Sequence, residues 1–250
     1  MPLFILAYLL IPTSFFVLPK LLSPEPLIRL GKENGLFENI GGGAFLVSAV
    51  LFLLAFAQSA NDSRFFGMAT RRNIYLLLLA LLMIVCFGEE ISWGQAIRHW
   101  QTPTWLAQEN AQSETNLHNL WAFHAKNPDG SRKSFRGLLL NANRLFALFW
   151  LVYCVLVPLL AKISVPARRF LHFAGVPIPP LAVGGLFLAT YAAFHGAIAF
   201  LDLDIEIVSS LEELKEAGYA VAYGILAFYF LLPERAVPRW NFSFKSRRRS

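Results

Sequence analysis

Charge is the property that this chain has least of. Asp, Glu, Lys and Arg make up 15% of its 250 residues, whereas they make up about 25% of an ordinary soluble domain. Hydrophobic residues make up 56% of the chain, and several uninterrupted apolar runs approach the roughly 20 residues that span a bilayer. The composition therefore argues against a soluble protein and predicts an all-α, polytopic transmembrane helix bundle.

Cysteine and the usual catalytic motifs are also scarce. Only Cys86 and Cys154 occur, both inside apolar runs, so the sequence offers no disulfide framework and no Cys-based metal motif. The chain contains neither His-Glu-x-x-His nor His-x-x-x-His. The first apolar segment lacks a basic n-region and a small-residue cleavage site, so we expect it to be retained as a span. The net charge of +6 comes from short connections and a tail, which indicates membrane topology rather than a nucleic-acid partner.

Six apolar segments predict six spans in a single integral membrane domain. We place them at residues 3–18, 40–59, 73–90, 137–161, 180–201 and 218–232, and we expect the third helix to continue to Trp100. Three glycines, 41–43, open the second segment and would let another helix approach closely. A long polar outer loop, 101–136, separates spans three and four, and residues 233–250 form a basic tail.

The distribution of charge predicts the orientation of these spans. Twelve of the 22 Lys and Arg residues lie in the tail and in the 60–72 and 162–179 connections, so we expect this side, with both termini, to be cytoplasmic. Fourteen of the 16 carboxylates then lie on or face the opposite side. The sequence thus predicts a plasma-membrane protein with an acidic outer face.

One stretch carries charge where the apolar pattern disfavours it. Phe87–Gln95 reads F-G-E-E-I-S-W-G-Q, and Glu89 and Glu90 follow fifteen residues without charge. At about 1.5 Å per helical residue, that run covers roughly 22 Å of a hydrocarbon core about 30 Å thick, so both carboxylates would lie short of the outer interface. Ionisable residues inside a membrane indicate a functional site.

Histidines and polar residues from other segments could join these glutamates at the outer face. The residues that we expect to be catalytic, with one carboxylate as a general base, are Glu89, Glu90, His118 and His195. Those that we expect to support them are Asn116, Asn119, Arg144 and Asp202. His195 and Asp202 are seven residues apart, so they would share a helix face. Imidazole and carboxylate from different helices can form a metal site, and Glu90, His118 and His195 could hold a divalent Zn, Fe or Mn ion.

Structural interpretations of the same residues stay open. Arg144 could neutralise one of the two glutamates without any chemistry. His195 could be a hydrogen-bonded core histidine, and His118, between two asparagines, could belong to a turn or cap. Residues 210–213 (S-L-E-E) have the spacing of a capping box at a helix start, which would give Glu212, Glu213 and Glu216 a role in helix capping and the helix dipole.

These features predict a membrane enzyme acting on a lipid or lipid-linked substrate, a metal-dependent hydrolase or transferase. Four tryptophans in or beside the outer loop place it in the headgroup layer, and the basic residues between Lys126 and Arg136 could bind an anionic headgroup there. The alternative is a non-enzymatic protein: a small transporter, a proton-coupled carrier or a partner-binding membrane subunit, because an intramembrane glutamate pair also suits a proton relay.

Two segments of the chain resemble a known signature. Phe87–Gln95, then Thr102-Pro103, then Glu114–Asn119 (E-T-N-L-H-N) is similar to the pattern of an uncharacterised family of bacterial multi-span inner-membrane proteins. The resemblance is close over about residues 85–120 and rests on hydropathy elsewhere. It implies a bacterial inner-membrane protein and carries no particular activity.

Overall fold

The computed structural model describes residues 2–32, 34–59, 63–98, 100–124, 127–131, 133–134 and 140–232. Within these ranges the chain is mainly helical. The helices are α1 (Pro2–Leu21), α2 (Pro24–Leu30), α3 (Leu36–Gln58), α4 (Ile74–Glu90), α5 (Gln95–Arg98), α6 (Thr104–Glu109), α7 (Ala142–Ile163), α8 (Val165–Ala174), α9 (Leu181–Phe200) and α10 (Ile205–Leu231). A short antiparallel hairpin, β1 (Ser63–Phe65) and β2 (Met68–Thr70), joins α3 to α4.

In the described part of the chain, four helices are long and apolar enough to cross a membrane, namely α1, α3, α7 and α9. The prediction of an all-α membrane protein with transmembrane helices is confirmed. The other two predicted spans lie within α4, which has 17 residues, and α10, which has 27 residues and carries charged side chains in its first half. The count of six spans therefore stays a prediction. Part of the predicted fourth span, residues 137–139, and the tail from 233 lie outside the described residues.

Helix α10 is the centre of the bundle. It packs along α3 and against α1, α2 and α9, and α3 packs along α4. Phe52, Met83, Phe187 and Tyr223 are completely buried among these helices. Of the three glycines that open the second predicted span, Gly41 and Gly42 are buried against neighbouring helices, whereas nothing approaches Gly43 within 4 Å. Two of these small residues thus bring α3 against the end of α4.

The middle of α7 is a π-helical segment, Leu151–Leu156. It precedes Pro158, whose ring crowds the carbonyl four residues earlier, that of Cys154. Gly184 of α9 lies against the same carbonyl, since a Cβ on this glycine would be 2.2 Å from the Cys154 oxygen. The widened turn and the glycine together allow α7 and α9 to touch at this depth.

The third predicted span ends where its apolar run ends, and the expected continuation of its helix to Trp100 is wrong. Helix α4 ends at Glu90, and three consecutive residues then take left-handed backbone angles, with φ of 45° at Ser92, 53° at Trp93 and 89° at Gly94. Such angles cost a non-glycine residue about 1–3 kcal/mol, so surrounding contacts must hold this turn. Those contacts form the candidate site.

Candidate functional site

The turn after α4 folds the indole of Trp93 back over the helix that precedes it. The ring lies so close to Gly88 that a Cβ there would be 2.9 Å from two of its carbon atoms. Trp93 Nε1 donates a hydrogen bond of 2.6 Å to Glu89 Oε1. Glycine at position 88 therefore makes room for the indole that caps the end of α4.

Glu89 connects the end of α4 to the distant segment that contains His118. Its Oε2 accepts hydrogen bonds from the backbone N–H groups of Leu117 at 2.7 Å and His118 at 2.8 Å. The same oxygen lies 3.2 Å from His118 Nδ1. The Glu89 side chain is only 13% exposed, so this carboxylate is both buried and fully partnered. It anchors the loop and orients the imidazole.

A second set of buried hydrogen bonds joins the same two segments. Ser92 Oγ donates to Glu114 Oε2 at 2.7 Å. Asn116 Nδ2 donates to both groups, at 3.1 Å to Ser92 Oγ and 2.6 Å to Glu114 Oε2. Asn110 Nδ2 in turn donates to Asn116 Oδ1 at 2.9 Å. Each of these buried polar side chains has a hydrogen-bond partner among the others, and together these bonds hold the left-handed turn in place.

Gln95 and Thr102 extend this network along the loop. Gln95 Oε1 accepts a hydrogen bond of 2.7 Å from the backbone N–H of Thr115, and Gln95 Nε2 donates to Thr102 Oγ1 at 2.9 Å. The hydroxyl groups of Thr102 and Thr115 lie 3.2 Å apart. The two signature segments therefore form one folded unit, which we call the signature cap (residues 88–95 and 110–119).

The two asparagines that the sequence analysis expects near the site are structural parts of this cap. Both Asn116 and Asn119 are buried. The Asn119 carbonyl accepts from the backbone N–H of Ala111 at 2.8 Å, and its side-chain amide donates to the Gln112 side chain. Both asparagines close the 110–120 turn, and this structural role accounts for their presence without a role in chemistry.

His118 itself is partly open, with 41% of its side chain exposed. It lines the main cavity described below, with its Nδ1 directed to Glu89. His124 follows six residues later and lies against Trp121 at a ring distance of 5.5 Å. Partial burial lowers the pKa of His124, and the neighbouring side chains of His118 and Lys133 lower it further. His124 is therefore neutral at neutral pH.

A cavity of about 1040 Å³ lies under the signature cap, between α3, α4, α7, α9 and α10. Its apolar wall is largely aromatic and includes Phe45, Phe146, Tyr191, Phe194 and Tyr219. The cationic side chains at its surface are Lys32, Arg144 and Lys215. Eight carboxylates also line it: Glu38, Glu89, Glu90, Glu114, Glu206, Glu212, Glu213 and Glu216. The cavity therefore combines many carboxylates with an aromatic wall.

Glu90 points to a different environment from its neighbour. It lies against α3, where a Cβ on Gly41 would be 3.4 Å from Glu90 Oε1. Among the described residues no hydrogen bond or ion pair is made by this side chain. Its electrostatic neighbours are the carboxylates of Glu38, Glu213 and Glu216, which repel it. Glu90 is thus a carboxylate without a fixed partner at the edge of the cavity.

Lys215, the only lysine of α10, already has an ion-pair partner. Lys215 Nζ lies 3.1 Å from Glu212 Oε1 and 4.5 Å above the centre of the Phe194 ring. Its charge therefore balances Glu212 and the ring rather than Glu90.

Of the remaining expected site residues, His195 and Arg144 line the same cavity and Asp202 does not. His195 lines the cavity but packs against Tyr191 in a tilted arrangement and against Phe194 edge to face, with ring distances of 4.3 and 5.1 Å. Asp202 is exposed beyond the end of α9 at Phe200, so it does not share a helix face with His195. Arg144 is exposed at the first turn of α7, and the ion pairs within the described residues join it to neither Glu89 nor Glu90.

Glu38, Glu213 and Glu216 are cavity residues that the sequence analysis does not select. The capping-box interpretation of residues 210–213 is wrong, because α10 already begins at Ile205 and Ser210 Oγ donates to the Glu206 carbonyl inside the helix. The sequence does carry a signal for the earlier start of α10. Ile207 and Leu211 are apolar residues with helical spacing, and both are buried in one core cluster.

The three expected metal ligands do not form a donor set. In the parts of the chain that the structure describes, no group of three or more His, Cys, Asp or Glu side chains is arranged to hold a metal ion. The geometry instead gives a carboxylate-oriented histidine beside an acidic, aromatic cavity. Comparisons with family models, curated proteins and solved structures find no match for this chain.

Proposed function

We propose that the chain is a six-span protein of a bacterial inner membrane, with both termini in the cytoplasm. Helix α4 and residues 217–231 of α10 supply the two spans beyond the four long apolar helices, and the basic connections support the orientation. Cysteines introduced at Asp129 and Arg169 test this topology in a background without Cys86 and Cys154. A membrane-impermeant thiol reagent should label position 129 and not position 169 in intact cells. The reverse pattern would invert the orientation.

The function that the site supports best is acid–base catalysis on a lipid or lipid-linked substrate, by a hydrolase or transferase. The observation that carries this proposal is the pair Glu89–His118. A carboxylate 3.2 Å from Nδ1 holds the imidazole in one orientation, which leaves Nε2 to take a proton from water or from a substrate hydroxyl. In this mechanism His118 is the catalytic base and Glu89 is its positioning residue.

The shape of the cavity supports an amphiphilic substrate. Its lining combines carboxylates and the His118 imidazole with the aromatic rings of Phe45, Phe146 and Tyr191. Its volume of about 1040 Å³ is at the upper end of the roughly 300–1,000 Å³ range of small-molecule sites. A polar headgroup would lie under the signature cap while an acyl or prenyl chain lies along the aromatic wall.

The test is a lipid-conversion assay on the full chain. Purified protein is reconstituted in a bacterial polar-lipid extract, and lipid species are followed by mass spectrometry. Wild type and the control His172→Gln, a change at an exposed histidine of α8, should convert the same species. His118→Gln should lower the rate by roughly 100-fold or more. Equal rates in His118→Gln and wild type would refute the assignment, and so would the absence of conversion in every sample.

Elemental analysis of the same preparations tests the metal-assisted version of this function. A stoichiometric divalent ion that is present in wild type and lost in His118→Ala would add a metal to the site. An equal metal content in both proteins would remove the histidine from any such role.

A second candidate function is a proton- or cation-coupled carrier. The observation that favours it is Glu90, an unpaired carboxylate beside Glu213 and Glu216 at the cavity. Intramembrane carboxylates of this kind serve proton relays. Proteoliposomes that contain a pH-sensitive dye distinguish the two functions. A carrier should move protons with wild type and with His118→Gln but not with Glu90→Gln, whereas the proposed enzyme should show no flux.

A further inference from the structure

Two connections that are far apart in sequence meet at the opposite end of the bundle from the signature cap. The β1–β2 hairpin lies against the C-terminal turn of α8. The backbone N–H of Gly67 donates to the Phe173 carbonyl at 2.8 Å, and that of Phe66 donates to the Ala174 carbonyl at 3.3 Å. Backbone hydrogen bonds between two surface loops indicate a built contact rather than a chance approach.

Two glycines make this contact possible. Gly67 and Gly175 have φ of 80° and 81°, which only glycine adopts without strain. A Cβ on Gly67 would be 2.5 Å from the Phe173 ring, and a Cβ on Gly175 would be 1.7 Å from the Arg64 carbonyl oxygen. The hairpin and α8 therefore form one rigid surface, which we call the hairpin–α8 surface (residues 63–71 and 165–175).

This surface is apolar in its middle and exposed. Four large apolar side chains have about half of their area accessible: Phe66 at 50%, Met68 at 60%, Phe170 at 58% and Phe173 at 47%. On α8 the residues 166, 170 and 173 follow one side of the helix, beside the small residues that face the bundle. Arg169 lies at the edge of that strip, because it is about 100° of helix rotation from Phe170 and about 40° from Phe173.

The charged side chains of the surface have one sign. Arg64, Arg71 and Arg169 are exposed there. The sequence contains no Asp or Glu in 63–88 or in 130–201, and the nearest acid before the hairpin is Asp62. Two further arginines instead hold helix ends: Arg72 Nη1 donates to the Ser59 carbonyl at 2.5 Å, and Arg168 Nε donates to the Ala161 carbonyl at 2.8 Å.

The position of the surface suggests what covers it. Helix α8 begins two residues after α7 ends at Ile163, so it leaves the bundle at the end of a membrane-crossing helix. An amphipathic helix with aromatic residues on one side and arginine beside them is typical of a segment that lies in the headgroup layer. Phenylalanines would enter the acyl boundary while the guanidinium groups contact phosphates.

We propose that the hairpin–α8 surface binds the anionic phospholipids of the leaflet into which it faces. Positive charge in two segments that contain no Asp or Glu, 63–71 and 165–175, selects phosphatidylglycerol-type headgroups over zwitterionic ones, and the exposed aromatic rings select a bilayer surface over a free phosphate ion. This proposal concerns the end of the molecule opposite the cavity and does not depend on the catalytic assignment.

The experiment measures which lipids stay bound to the protein. The full chain is released from nanodiscs of equal phosphatidylglycerol and phosphatidylcholine content, and the retained lipids are counted by native mass spectrometry. Wild type should retain phosphatidylglycerol preferentially, by roughly fivefold for each arginine that faces a headgroup. The triple variant Arg64→Gln/Arg71→Gln/Arg169→Gln should lose most of that preference, and Phe170→Ser should lower retention of both lipids.

The matched control removes three cations that lie at the other end of the bundle and do not line the cavity, as Lys20→Gln/Arg29→Gln/Arg98→Gln, and should behave as wild type. If the arginine variant fails to fold, as judged by its helical circular dichroism, a salt titration of wild type takes its place, since the preference should fall between 50 and 500 mM NaCl in proportion to screening. Equal retention of both lipids by wild type, retention that the arginine variant preserves, or a preference that salt leaves unchanged would overturn the proposal.

Discussion

The two adjacent glutamates should respond in opposite ways to the same substitution. Glu89 accepts hydrogen bonds on both oxygens: Oε1 from Trp93 Nε1, and Oε2 from the backbone N–H groups of Leu117 and His118. Glutamine has one oxygen and one NH₂ group. In Glu89→Gln, either Trp93 or the loop must face that NH₂, so two donors point at each other.

The magnitude follows from these contacts. A hydrogen bond to a charged group contributes about 1.5–3 kcal/mol, and Glu89→Gln loses at least one such bond and weakens the others to neutral bonds. We expect the free energy of unfolding to fall by about 3 kcal/mol, which for a chain of this size is a fall in Tm of about 6–12 °C. Glu90→Gln breaks no hydrogen bond in the described structure and removes one of several mutually repelling carboxylates. Its Tm should be unchanged or higher.

Thermal unfolding of both variants in one detergent measures the contrast, with intrinsic tryptophan fluorescence as the signal. Emission from Trp93 should shift in Glu89→Gln, because its indole loses the carboxylate, and should stay constant in Glu90→Gln. Equal losses of Tm in the two variants, or a larger loss in Glu90→Gln, would refute the assignment of anchor and cavity roles.

Three further substitutions test the cap and the core. Gly88→Ala should lower the free energy of unfolding by about 1–3 kcal/mol, because the new methyl group clashes with the Trp93 indole. The matched change Gly43→Ala, in open space, should be neutral or stabilise the protein by about 0.5–1 kcal/mol. Equal Tm values for the two variants would contradict the packing. Tyr223→Phe removes a buried hydroxyl without a hydrogen-bond partner in the described structure, so its Tm should not fall, and a loss above about 1 kcal/mol would show that the hydroxyl has a partner after all. Asn116→Asp places a second carboxylate beside Glu114, to which the Asn116 amide donates at 2.6 Å. We expect the free energy of unfolding to fall by about 3 kcal/mol or more at neutral pH and by less in acid. A Tm independent of pH would argue against the network.

The helices could be predicted from hydropathy, because a membrane-crossing helix is determined locally by length and apolar content. The all-α membrane class and four of the spans follow from that rule alone. The prediction that the third helix continues to Trp100 fails at Trp93, an aromatic residue with good membrane-interface propensity that takes a left-handed backbone angle. Only the contacts with Gly88 and Glu89, made through the folded loop, account for that angle.

The site was predicted in part for a similar reason. Glu89, Glu90 and His118 stand out from the sequence because charged and titratable residues are unusual beside an apolar run, and the structure does place Glu89 against His118. Periodicity does not reveal which other elements reach the same cavity. Glu213 and Glu216 join it because α10 starts at Ile205 and turns its acidic side toward α3 and α4, a rotation set by the burial of Ile207 and Leu211.

Their adjacent positions on a helix allow the two glutamates to take different roles. Neighbouring residues on a helix point about 100° apart, so one carboxylate at the end of α4 can face the signature cap while the next faces the cavity. Glu89 both anchors the loop and positions His118, which means that any change there must alter stability and the proposed chemistry together. Glu90 makes no such contact in the described structure, so its substitution should leave Tm unchanged or higher and should alter function only if Glu90 takes part in proton transfer. Separate measurement of Tm and activity in the two variants therefore distinguishes a residue that builds the site from one that acts in it.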